Sequence, residues 1–83
     1  MEQDLLEIWQ ATLAEIEKKI SKPSFETWLK TTKPVSLHNQ TLVISAPNDF
    51  TKDWLQARYT DIIESSLQEV TDNTVQQVHF TTP

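Results

Sequence analysis

From Asp4 to Ile20, Leu6, Trp9, Leu13, Ile16 and Ile20 recur at spacings of three and four, which predicts one buried face of a helix. Asp4 is placed to cap it, with Glu7 three residues on, and Lys18 and Lys19 sit late, as the helix dipole prefers. Leu5 falls on the edge of this stripe and Ile8 well outside it. In SKPSFETWLKTT, Ser21 or Ser24 can cap a second helix and Pro23 is tolerated in a first turn. Phe25, Trp28 and Leu29 give that helix a short buried face, and Pro34 ends it by pushing Lys33 toward an extended conformation.

The period then changes from helical to alternating. PVSLHNQTLVISA predicts a hairpin, with Val35 and Leu37 on one strand and Leu42, Ile44 and Ala46 on the return. His38-Asn39-Gln40 is the turn, and Asn39 is its best residue for positive φ. Asn48 can cap a third helix running to about residue 72, with Leu55, Tyr59, Ile62, Ile63, Leu67 and Val70 as its stripe. Phe50 and Trp54 are neighbours at i and i+4 yet project far from that stripe. Either the helix bends near Gln56 or its first turn presents an aromatic surface. DNT breaks the pattern, and VQQVHF predicts a third strand with Val78 and Phe80 on one face and Val75 out of phase. The order α-α-β-β-α-β predicts an α+β fold, a three-stranded sheet with helices on one face. One domain is expected over residues 1–80, with 81–83 beginning a linker.

Composition narrows the chemistry. Eighty-three residues make one small domain with a small core. There is no cysteine, hence no disulfide and no thiol chemistry. The segment MEQDLLEIWQ is acidic where a secretory signal would be basic, and no apolar run approaches a membrane span, so a cytoplasmic location without membrane contact is expected. The chain has no glycine, which excludes the Gly-rich loops that cradle nucleotide phosphates. His38 falls in a predicted turn and His79 in a predicted strand, and neither has partners spaced for metal ligation or nucleophilic catalysis. No catalytic residue, metal site or cofactor is therefore assigned, and no enzymatic activity is expected.

Binding is the better lead. The net charge of −5 opposes broad attraction to phosphate, although Lys30 and Lys33 can lie together near the end of the second helix as a weak site for single-stranded DNA. Phe50, flanked by polar residues, has the look of an interface anchor. Trp28 and Trp9 fit a core role by periodicity, and Trp54 is open between core and surface. Leu5 and Ile8 beside Trp9 widen the apolar arc of the first helix, which fits either self-association or a frayed first turn.

Leu6 to Trp9, Phe25 to Trp28, TLVISAPNDF and DWLQARY together resemble the N-terminal domain of DnaA, the bacterial chromosomal replication initiator. The similarity spans nearly the whole chain, and IEKKISKPSFETW is most similar to the Gram-positive form. It implies a KH-like fold that serves as a protein-interaction and oligomerisation hub and contacts helicase-loading proteins, regulators of initiation or the replicative helicase itself. It implies partner binding by Thr27, Trp28, Asn48, Phe50 and Thr51, with DnaD-like or SirA-like partners. It also implies weak homotypic contact at Leu5, Ile8 and Trp9. Ser24 stands where some members carry a glutamate that helps contact helicase. RNA-binding KH domains clamp the backbone with a GXXG loop, which a glycine-free chain lacks. ATP hydrolysis and sequence-specific origin reading belong to other domains of that family and are not expected here.

Overall fold

A computed structural model describes residues 4–83. Helix α1 spans Leu5–Glu17, capped as expected by the Asp4 carboxylate, which accepts from the Leu6 N–H. Its buried set is Ile8, Trp9, Thr12 and Ile16, so the core-facing stripe is rotated from the one the apolar pattern predicts. Leu6, expected inside, is 50% exposed, and Ile8, expected outside, is 4% exposed. Thr12 is the reason. Its hydroxyl donates to the Ile8 carbonyl at 2.8 Å, so a formally polar residue is buried without an unmet bond. The stripe is therefore centred on a position that a count of apolar residues passes over.

A short helix α2, Lys22–Ser24, is capped by Ser21 and runs directly into a π turn, Phe25–Leu29. Phe25 and Leu29 are buried, and Trp28 is only half-buried. The second helix thus faces the core at the two positions its pattern predicts and turns the third toward another element.

Strands β1 (Lys33–His38) and β2 (Thr41–Ser45) form the antiparallel hairpin. Asn39 and Gln40 both take positive φ, 48° and 69°, so the turn is two residues long with His38 opposite Thr41. The register slips between Pro34 and Ser36, and this irregularity takes Val35 out of phase with Leu37. Val35 is 52% exposed and Leu37 is also exposed, so the first strand does not bury the alternating face expected of it. It is an edge strand, and the proline and the bulge are what such edges carry.

The long third helix divides into α3, Asp49–Arg58, and α4, Thr60–Val70, at Tyr59 (φ −121°, ψ 0°). The Thr60 hydroxyl donates to the Gln56 carbonyl at 2.7 Å, a back-bond that bends helices. Both sequence expectations are met at once, with the break three residues beyond Gln56. At the end of α4, Asp72 takes positive φ and the Asn73 N–H reaches back to the Gln68 carbonyl, a Schellman cap built without glycine.

Strand β3, Gln77–Thr81, starts after Val75, as its phase suggested, and includes Thr81. It pairs in parallel with β2, and α3 and α4 supply the crossover that parallel pairing needs. The sheet order is β1-β2-β3. Leu42, Ile44, Ala46 and Phe80 meet Ile16, Leu29, Leu55, Ile63 and Leu67 in one core. The outer edge of β3 is closed from α4: the Glu64 carboxylate accepts from the Val78 N–H, and the Gln68 amide donates to the Gln76 carbonyl. This is the α+β arrangement expected, with α1 packed on α4 and β1.

Candidate protein-interaction site

Helix α3 begins where β2 ends, and its start is fixed tightly. The Asn48 side chain accepts from the Thr51 N–H at 2.8 Å, the N-cap bond its position predicts. Thr51 and Leu55 are buried and anchor the inner face. One face further round, the first turn lifts Phe50 away from the core, and 68% of its surface remains exposed. The family resemblance groups Thr51 with the partner-binding residues. It is instead buried at the root of the helix, because the residue that follows Phe50 turns about 100° toward the core.

Phe50 does not stand alone. Trp28, brought over by the π turn, lies 5.8 Å from it, centroid to centroid, with the rings tilted at 45°. Trp54, one helical turn after Phe50, is stacked on Trp28 at 4.8 Å and 14°. Phe50 and Trp54 are 6.5 Å apart. Arg58 completes the group, its guanidinium carbon 4.5 Å from the centre of the Trp54 ring. Three aromatic rings from two elements, some twenty-five residues apart in sequence, thus form one surface. Trp28 is half-buried, packed against the core on one side and joined to this aromatic group on the other.

The sequence pattern leaves Trp54 open between core and surface and does not mark Arg58. The signal that could have found them is their spacing: Phe50, Trp54 and Arg58 are i, i+4 and i+8 on one ridge of α3. The Trp54 indole nitrogen is buried and has no hydrogen-bond partner among the described residues. Thr27 is exposed on the π turn beside Trp28, and the Asn48 side chain is exposed with its oxygen committed to the cap.

The other predicted sites lie elsewhere. Trp9 is 1% exposed, and its indole donates to the Thr32 hydroxyl at 3.0 Å, which itself donates to the Leu29 carbonyl. Trp9 and Ile8 are core residues that tie α1 to the π turn, so they offer no surface for homotypic contact in this structure. Leu5 is half-buried against the same core. Lys30 and Lys33 are exposed and form no ion pair among the described residues. No group of three or more His, Cys, Asp or Glu among the described residues is placed to hold a metal ion. Among the described residues, no helix is long and apolar enough to cross a membrane.

The sequence profile of the DnaA N-terminal domain matches residues 6–69, more than half of the chain. The chain belongs to this family. The fold agrees: a chain in the crystal structure of a HobA-DnaA (domain I-II) complex from Helicobacter pylori superposes with a TM-score of 0.80. The match covers 93% of this chain and 98% of that one at 16% sequence identity. The family places this chain as a protein-interaction domain of a replication initiator. Among the described residues of this DnaA N-terminal domain, Phe50 on α3 is the large aromatic side chain left exposed, with Trp28 of the π turn against it.

Proposed function

We propose that the chain docks proteins that control or execute the start of replication through the Phe50–Trp28–Trp54 surface. Thr27 and Asn48 form its rim, and no catalysis is involved. The observation that carries this reading is the exposure of Phe50. A ring left two-thirds in water, backed by two further aromatic rings, is what a binding anchor looks like before its partner arrives. The occurrence of this fold in a complex of DnaA with HobA supports a docking role. DnaD-like loaders and SirA-like regulators are the partners this reading favours, with the replicative helicase a further candidate in the cytoplasm. Partners that share one patch compete, which gives regulation without chemistry.

The test is a chemical-shift map of the labelled domain against unlabelled candidate partners and against the domain itself. Partner binding is expected to move Phe50, Trp28, Thr27 and the Trp54 indole resonance. A partner that binds while leaving these signals in place overturns the assignment of the site.

A further inference from the structure

Resting on that docking surface, we propose that its partner presents a carboxylate beside the apolar group that covers Phe50, and that Arg58 receives it. Arg58 is the specificity-determining residue of the patch. Three observations lead there.

The first is charge. In a chain of net charge −5, Arg58 forms no ion pair among the described residues, although Asp61 follows it three residues on. Its guanidinium is spent on the Trp54 ring instead, a contact that holds the fork in place and leaves its N–H edges free. The second is the buried Trp54 indole N–H, which has no acceptor among the described residues. Buried donors are seldom left so, and one beside an unpaired guanidinium marks a place short of acceptors. A carboxylate carries two acceptor oxygens. It can take the Arg58 fork where that lies over the Trp54 ring.

The third is the layout of α3. At about 100° per residue, Trp54 and Arg58 lie on one side of Phe50, while Asp53 and Asp49 lie on the other. Asp49 already holds Lys52 at 3.9 Å. Ala57, small and exposed, sits between the flanks and admits close approach. The patch is therefore polar across its width, with acid to one side and an unpaired cation to the other. A partner bringing a carboxylate to the Arg58 side is favoured, and the reversed orientation sets it against Asp53.

The probe is a displayed library of three-turn helices, randomised on one face and selected for binding to the whole domain. Counter-selection against Phe50→Ala keeps only patch binders. Wild-type selections are expected to be enriched in Asp or Glu next to an apolar anchor, and Arg58→Glu selections in Lys or Arg. Affinity of the wild-type binders should fall about tenfold for Arg58→Met, which keeps the aliphatic cover over Trp54 and loses the charge, and less for Arg58→Lys. Binding of the acidic helices should also shift the Trp54 indole N–H resonance. Phe50-dependent binders with no excess of acid, bound equally by Arg58→Met, overturn the proposal and leave the docking surface standing. Selections that yield no Phe50-dependent binder overturn the docking surface, and the proposal with it.

Discussion

Replacing Phe50 by alanine separates docking from folding, and both effects can be sized from the ring's exposure. An aromatic side chain carries about 150–250 Å² of surface. Phe50 leaves 68% of its own in solvent, so roughly a third, about 50–80 Å², is covered by its neighbours. At ~25 cal/mol per Å² that cover contributes about 1–2 kcal/mol to folding, an upper bound because alanine keeps its Cβ and the unfolded chain is not fully extended. The exposed remainder is about 100–170 Å², about 2.5–4 kcal/mol if a partner covers all of it. Truncating a central anchor typically removes about 2 kcal/mol or more, roughly thirtyfold in Kd. Calorimetric titration of a helicase-loading partner and urea denaturation of the same two proteins read the two quantities. Kd should rise about thirtyfold or more, while the unfolding free energy falls by less than ~2 kcal/mol and the variant stays folded at 25 °C. A stability loss beyond about 3 kcal/mol would show Phe50 to be a structural residue. An unchanged Kd for a partner that binds this domain would refute the anchor.

Gln40→Gly gives the hairpin an Asn-Gly pair at two positive-φ positions, and urea denaturation should show a gain of up to about 1 kcal/mol. A loss of stability would mean that the Gln40 side chain has a role its exposed position does not suggest. Trp9→Phe removes the indole bond to Thr32 and leaves a void between α1 and the π turn, so a fall of about 2–4 kcal/mol is expected by the same measurement. A value within about 0.5 kcal/mol of wild type contradicts the burial of Trp9. If Lys30 and Lys33 bind single-stranded DNA, their two contacts should give a log K against log salt slope near −1.4, flattened by Lys30→Ala with Lys33→Ala. Fluorescence titration without binding at low salt removes that activity.

Most elements were legible because their signals were local. The Asp4, Ser21 and Asn48 caps, the hairpin turn and the late start of β3 each depend on residues within a few positions of one another. What was misread depends on contacts distant in sequence, or on polar groups that hide. Thr12 in α1 and Ser66 in α4 are fully buried, and a pattern of apolar letters skips both; on α1 that rotates the predicted stripe away from the observed one. Thr12 satisfies its hydroxyl within its own helix, and Ser66 accepts from the Lys19 ammonium. The exposure of Val35 follows from a bulge that no single strand announces. At the candidate site, Phe50 was visible because it sat out of phase with its own helix. The stack of Trp28 on Trp54 was not, since nothing near Trp28 says that residue 54 will lie 4.8 Å away.

That stack bears on how the surface can bind at all. An exposed phenylalanine on a frayed helix end would have to be ordered by each partner, at about 0.5–1.5 kcal/mol per side chain immobilised. Here the ordering is done by folding. Asn48 pins the first turn, Thr51 and Leu55 seat α3 on the core, and Trp28 and Trp54 hold the ring from behind. Trp28 is in turn positioned by Phe25 and Leu29, whose π turn is tied to α1 through Thr32 and Trp9. The buried tryptophan and the exposed phenylalanine are thus connected through a chain of packed groups. Loosening Trp9 should weaken docking without touching the surface, by giving back the freedom that the core had removed from Trp28. A double-mutant cycle between Trp9→Phe and Phe50→Ala, read as partner affinity at a temperature where every variant is folded, tests this. Strict additivity would mean that the surface is set by α3 alone.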